Sequence, residues 1–262
     1  MHPECVRIGN FVIYWYGVLI ACAVFVCSIV FQRNAVAAGI RKETASEIVF
    51  WTVIVGILSG RAGHVLSHLP YYGRHLAEIV QIRNGGLSVQ GAIAGAVLFL
   101  SGYAGAKRLS FLKLADLVAL VTPLGQAIGR IGCFLNGCCY GKPSGLPWAI
   151  SIPATGMPGR IHPTELYYSG CDLLIFVFLL LMSRVKQKDG ELLGFYLILF
   201  GLLRYFLDEL RGDLLLTKAG VTMTQILGIG TFLAGALFLW AVLFSRHASH
   251  PDNGQADRQF PD

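Results

Sequence analysis

The sequence predicts an all-α, polytopic membrane protein with seven transmembrane helices, its N-terminus outside and its C-terminus cytoplasmic. Three observations predict it. Of 262 residues, 55% are hydrophobic and only 14% charged, where a soluble domain carries about a quarter charged. The mean hydropathy is +0.61. The apolar residues fall in runs long enough to cross a bilayer, and lysine and arginine are unevenly shared between the connecting loops.

The runs lie at about 11–32, 48–69, 87–106, 112–135, 167–184, 192–211 and 222–245. The first could pass for a signal peptide, because Ala35-Val36-Ala37 follows it. It is too long for a signal core and Glu4 precedes it, so it is read as a retained helix. The second, fourth and sixth runs contain arginine, which lowers their hydropathy and raises their functional interest. No internal repeat is evident, which disfavours an inverted-repeat transporter. Residues 1–245 form one transmembrane domain in this reading. Residues 246–262, polar and rich in Pro and Asp, form a disordered cytoplasmic tail.

Charge sets the orientation. Loops after the first, third and fifth runs hold Arg33, Arg41, Lys42, Lys107, Arg108, Lys113, Arg184, Lys186 and Lys188, and the tail adds Arg246 and Arg258. The other side holds Arg7, Arg74, Arg83, Lys142, Arg160 and Lys218. The richer side is cytoplasmic. The two longest loops, 70–86 and 136–166, then lie outside. The net charge of +6 is dispersed, with no basic run interleaved with aromatics, so nucleic acid is not an expected partner.

Several polar residues are costly at bilayer depth. Arg130 ends the apolar run from Ala115, within a glycine-rich stretch from Gly129 to Gly141. Arg61 follows Gly56 and Gly60 and precedes Gly63, three glycines on one helical strip that let a neighbouring helix pack close. His64 and His68 have an i, i+4 spacing that could hold a metal, but no third ligand is placed by sequence. Arg204, Asp208 and Arg211 stack on one face at i, i+4, i+7, either as an ion-pair strip or as a pocket wall with positive charge to spare. The stretch Asn84 to Gly91 enters the third helix as a tight glycine turn, and Gln90 offers donors and an acceptor near the surface. His162 and Pro163 open the fifth helix; Pro163 suits its first turn and Glu165 its positive end, while His162 and Tyr167 are not explained by helix initiation. Seven cysteines make no disulfide framework. Cys133, Cys138 and Cys139 raise metal or redox chemistry. Metal sites usually space thiols as C-x-x-C and adjacent cysteines bridge only with strain, so they are read as small residues at a helix end, with no metal site.

Taken in order, Trp15-Tyr16-Gly17, Gly60-Arg61, Gly85 to Ser88, Gly129-Arg130 through Gly141, His162-Pro163-Thr164, Arg204 and Thr224-Gln225 resemble the prolipoprotein diacylglyceryl transferase family over nearly the whole chain. The resemblance implies a bacterial cytoplasmic (inner) membrane enzyme. It moves the diacylglyceryl group of phosphatidylglycerol to the thiol of a lipobox cysteine in a prolipoprotein, releasing glycerol phosphate. Its partners are that lipid, that precursor and the bilayer; no metal or nucleotide cofactor is required. By position, Arg130 and Arg204 match the family's essential arginines, Tyr16 its first-helix tyrosine and Gly141 the glycine closing its long signature. The expected catalytic set is Arg130, Arg204 and His162. The expected substrate-binding set is Tyr16, Arg61, Gln90, Asn136, Gly141, Glu165, Tyr167 and Arg211.

The chain departs from the family's usual pattern at four places. Gln90 stands where a histidine is usual, Cys133 for asparagine, Cys138 for glutamate and Glu165 for glutamine. A neutral amide is no proton acceptor, so the attacking thiol loses its proton to His162, to Glu165, or directly beside the arginines. A lipid or anion transporter and a non-catalytic lipid- or lipoprotein-binding protein of the same fold are the alternative readings.

Overall fold

A computed structural model of the protein describes residues 4–9, 11–81, 85–151, 159–217 and 220–244. The expected tail 246–262 and the charges at Arg83, Lys218, Arg246 and Arg258 lie outside these residues, as does Asn84. A short antiparallel hairpin comes first, β1 (Glu4–Ile8) with β2 (Phe11–Tyr14). Seven long helices follow: α1 (Trp15–Ala37), α2 (Lys42–Ser67), α4 (Val89–Lys107), α5 (Phe111–Asn136), α6 (Thr164–Met182), α7 (Glu191–Glu209) and α8 (Met223–Phe244). One short helix, α3 (Leu69–Tyr72), and a 3-10 turn at Leu76–Val80 occupy the first long loop.

The shortest long helices have 19 residues, about 29 Å at 1.5 Å per residue, which matches a hydrocarbon core of about 30 Å. Six are both long and apolar enough to cross a membrane. The exception is α7, because Glu191, Arg204, Asp208 and Glu209 exceed the two charges such a stretch tolerates. Phe25, Leu98, Leu174 and Leu237 are each more than two-thirds exposed, an outward apolar surface suited to lipid.

Helix boundaries differ from the hydropathy runs where local chemistry decides them. The first helix begins at Trp15, because Phe11–Tyr14 pairs as a strand. Ser88 and Ser110 cap α4 and α5, their hydroxyls accepting from Gly91 N and Lys113 N at 3.2 Å each. Pro163 is the residue just before α6 rather than in its first turn. The start of α7 is capped from another helix. The buried carboxylate of Asp116 on α5 accepts from Gly190 N and Leu193 N, both at 2.9 Å, and from Lys186 Nζ at 2.6 Å. A carboxylate there meets unsatisfied N–H groups and the positive helix end.

The packing is close where α2 crosses α4. A Cβ on Gly63 would sit 2.9 Å from Gly91 Cα, and one on Gly91 2.6 Å from Ser59 O. Gly60 shares this contact, but Gly56 faces open space, so the expected three-glycine strip has two working members. Successive long helices reverse direction, which puts the start of α1, α4, α6 and α8 at one end of the bundle with the end of α2, α5 and α7. The apolar core lies toward the other end. Phe31, Ala35, Ile48, Leu100, Leu114 and Leu117 form one cluster there, and Leu120, Ile175, Leu179 and Leu192 a second.

Candidate functional site

The unusual polar residues gather at the opposite end, where α5, α6 and α7 meet. The face of α6 is set by spacing: Glu165, Tyr168 and Asp172 follow i, i+3, i+7 and all three are buried. Arg130, near the end of α5, stacks its guanidinium on the Tyr168 ring, 4.2 Å from the centroid. The Tyr168 hydroxyl donates a very short hydrogen bond to Asp208 Oδ1 on α7. Asp208 is also flanked by Arg204 Nε at 3.6 Å and Arg211 Nη1 at 3.8 Å. Asp172 lies within the electrostatic reach of both Arg130 and Arg204. Arg130 thus contacts the ring of Tyr168, and Arg204 the carboxylate that its hydroxyl binds.

Arg211 is held differently. It falls just beyond the end of α7 and makes a bidentate pair with Asp213, Nε–Oδ1 2.9 Å and Nη2–Oδ2 2.6 Å. Burial favours its neutral form, but the Asp213 pair outweighs this and its pKa is raised further. Of the two readings of this strip, the ion-paired one describes Arg211. Asp213 neutralises Arg211, and Glu165 and Asp172 add carboxyl groups nearby. Glu209 turns away to Lys142 at 2.9 Å and to Gln225 Nε2 at 3.2 Å.

Backbone pairing fixes the end of α5 against its neighbours. Gly141 N donates to His162 O (3.2 Å), His162 N to Lys142 O (3.0 Å), Lys142 N to Leu210 O (2.8 Å) and Gly212 N to Tyr140 O (3.0 Å). Three chain segments cross here with no room for a side chain. A Cβ on Gly141 would lie 2.5 Å from both His162 Cβ and His162 O. Gly141 is thus a backbone junction. His162 is part of the same junction, and its Nδ1 faces the Tyr167 hydroxyl at 3.4 Å, while Trp148 Nε1 donates to that hydroxyl at 2.7 Å.

Glu165 is fully buried, with no hydrogen-bond partner for either carboxyl oxygen among the described residues. Tyr16, at the start of α1, packs over Gly132, where a Cβ would meet Tyr16 Cδ2 at 3.1 Å. Its hydroxyl lies within electrostatic reach of Arg130 and of Cys133, Cys138 and Cys139. Asn136 is the exposed last residue of α5, beside the Cys138 thiol. Those three thiols, expected as small residues at a helix end, come together: their sulfurs lie within 4.8 Å of one another.

Arg61 and Gln90 belong to the α2–α4 crossing and make no hydrogen bond or ion pair with this cluster among the described residues. Arg61 is buried and donates to four carbonyls: Glu78 O (2.5 Å), Ile79 O (2.8 Å), Gly85 O (2.9 Å) and Gly86 O (3.0 Å). It pins the loop between α2 and α4. With His64, Tyr71, Tyr72 and Glu78 it lines a cavity of ≈ 430 Å³. Tyr71 donates to Glu78 Oε2 at 2.8 Å, a bond that raises the phenol's pKa. The His64 and His68 rings lie 4.4 Å apart, tilted by 32°, and no third ligand joins them among the described residues. Gln90 is exposed, its Oε1 accepting from Ser88 Oγ at 3.2 Å.

Sequence reasoning missed Tyr168, Asp172 and Asp213. An aspartate in the apolar run of α6 is a usable signal, since an intramembrane acid needs a partner, and Tyr168 stands one turn before it. Asp213 left none, because its pairing follows from where α7 ends.

A family model described as prolipoprotein diacylglyceryl transferase matches residues 3–241. The phosphatidylglycerol–prolipoprotein diacylglyceryl transferase of Finegoldia magna is 38% identical over 226 residues, covering 86% of this chain and 89% of that protein. The protein of the same name from Acaryochloris marina is 36% identical over 264 residues, covering 97% and 95%. That from Geobacillus kaustophilus is 37% identical over 246 residues, covering 90% of each. With the match running through α1, the Arg130 segment and α7, the chain belongs to the prolipoprotein diacylglyceryl transferase family.

Proposed function

We propose that this chain carries out the family's reaction at the Arg130–Arg204 end of the bundle. It transfers the diacylglyceryl group of phosphatidylglycerol to the cysteine thiol of a prolipoprotein. The thiol's S–H bond and the C–O bond between the diacylglyceryl carbon and the phosphate break, a C–S bond forms, glycerol phosphate leaves, and the thiol's proton passes to water. One contrast among four buried or half-buried arginines carries the assignment of roles. Arg61 and Arg211 have their guanidinium groups occupied by carbonyls and by Asp213. Arg130 and Arg204 make no hydrogen bond among the described residues; one rests on a ring, and the other has a single ion pair at 3.6 Å through Nε. Their Nη groups are free to bind a phosphate on two sides, which fixes the lipid and stabilises the charge that grows on the leaving group.

Tyr168 and Asp208 hold the two arginines apart and oriented, and Arg211 with Asp213 closes the strip. Arg61 acts through the loop it pins, and Gly141 through the junction it permits. Tyr16, Gln90 and Asn136 line the approach from α1, α4 and the end of α5. Trp148 Nε1 donates to the Tyr167 hydroxyl, and the same hydroxyl faces His162 Nδ1, so the ring is engaged on its Nδ1 side in either tautomer. His162 and Tyr167 therefore serve as positioning residues, and the precursor thiol ionises in the field of the arginines. Glu165, with no hydrogen-bond partner among the described residues, lies within the electrostatic reach of Arg130 and Arg211.

The seven long helices all span the bilayer in this reading, α7 included, with the N-terminus outside and the site facing outward in a bacterial cytoplasmic membrane. Its support is the basic residues on the α1–α2, α4–α5 and α6–α7 connections. The apolar core filling the other end of the bundle favours one-sided chemistry over a path through the protein.

The decisive experiment is lipidation by the purified chain. A lipobox precursor should shift in mobility with phosphatidylglycerol present and stay unshifted with phosphatidylethanolamine. A precursor that stays unmodified while the lipid still binds would make the chain a lipid-binding member of the fold.

A further inference from the structure

We infer that Cys133, Cys138 and Cys139 form a three-thiolate binding site for a thiophilic d10 metal ion, with zinc(II) as its reference ion. The sulfurs already lie within 4.8 Å of one another. In a zinc site with Zn–S bonds of about 2.3 Å, the sulfurs stand about 3.8–4.0 Å apart. A contraction of about 1 Å or less completes the geometry, within the reach of side-chain rotation.

The backbone builds this grouping rather than permitting it by accident. Helix α5 ends on Gly137 in the left-handed conformation (φ 73°), and the chain turns back so that Cys138 N donates to Cys133 O at 3.1 Å. Cys139 then also adopts a left-handed φ of 66°. That conformation is unfavourable for a side chain other than glycine, asparagine or aspartate, and it marks positions that surrounding structure enforces. The enforcement is visible: Thr164 Oγ1 donates to Cys139 O at 2.8 Å, and the Gly141 junction anchors the next residues. The strained residue is a cysteine, and its thiol points into the cluster.

Charge favours the occupied state. Zinc(II) with three thiolates carries a net charge of −1. The Cys139 thiol lies within the electrostatic reach of Arg130 and of Arg211. Arg211 is already paired with Asp213, so Arg130 is the cation that would offset that charge. Binding displaces three protons from the thiols and changes no oxidation state. Water completes the fourth position, because no other cysteine, histidine or carboxylate joins the group among the described residues. The four remaining cysteines, Cys5, Cys22, Cys27 and Cys171, stand apart from it and serve as internal controls.

The test uses the full chain, reduced and purified in detergent, with cobalt(II) as the spectroscopic probe. One equivalent should produce a sulfur-to-cobalt charge-transfer band, which zinc(II) then removes. Cys133→Ser combined with Cys138→Ser and Cys139→Ser should lose the band. Should that variant fail to fold, alkylation of the unaltered chain tests the same site: zinc(II) should protect these three thiols and leave the other four unchanged. No thiolate band at one equivalent, or protection spread evenly over all seven cysteines, overturns the site. Neither readout depends on transferase activity, so its failure leaves the transferase reading standing, and the reverse.

Discussion

The guanidinium of Arg130 lies 4.2 Å above the Tyr168 ring, and that ring's hydroxyl is bonded to the fully buried Asp208. Tyr168 therefore spaces Arg130 from the Arg204 side while tying α6 to α7. Tyr168→Phe keeps the platform and removes the bond. It should cost about 1–3 kcal/mol, because Asp208 is left buried without its donor. Tyr168→Leu removes both and should also lower lipidation. Detergent melting curves paired with a mobility-shift assay separate the two effects; equal activity in both variants would remove the platform role.

Arg130→Ala and Arg204→Ala should each abolish lipidation while the protein remains in the membrane. The lysine variants should recover little, since an ammonium cannot bind phosphate as a planar fork. Wild-type rates in both alanine variants would end the clamp assignment.

Arg61→Ala should act differently. It leaves four loop carbonyls without their donor, so the segment between α2 and α4 should become sensitive to limited proteolysis. At about 1–3 kcal/mol for an unsatisfied buried group, the stability loss should be plain in a melting curve. A variant with an intact loop but a raised KM for lipid would instead make Arg61 a direct ligand.

Gly141→Ala places a methyl 2.5 Å from two atoms of His162. Overpacking of this kind costs roughly 1–3 kcal/mol, and more where the obstacle is backbone. The variant should be poorly folded or inactive, and a well-folded active protein would show that the junction can open.

The pH profile of lipidation tests His162. With its Nδ1 facing Tyr167, His162→Gln should reduce the rate and leave the acid limb where it is. Flattening of that limb would make His162 the proton acceptor after all.

Much of the frame was legible because bilayer solvation constrains it so strongly. Apolar runs long enough to span leave few alternatives to helix, and arginines within them must have a purpose. Thus Arg130 and Arg204 could be named from sequence, and the structure links both to Tyr168, Arg130 through the ring and Arg204 through Asp208. What could not be read was set by contact across segments. Arg211 sits where its spacing to Asp208 placed it, but Asp213 neutralises it, because the helix stops two residues sooner than hydropathy suggests. Cys133 and Cys139 are six positions apart in sequence, and only the left-handed turn between them brings their thiols together. Gly141 was identified by family position, while its physical reason is the crossing of three backbones.

Asp116 has a consequence for how the protein is made. On the proposed topology, α7 is the one span too charged to enter lipid readily alone. Its first N–H groups are satisfied by a carboxylate on α5, and its Asp208 near the far end is met by a hydroxyl on α6. Both partners are synthesised before it. Membrane insertion of α7 is then a docking event onto a waiting scaffold, and truncated chains ending after α7 should retain it only when α5 keeps its aspartate.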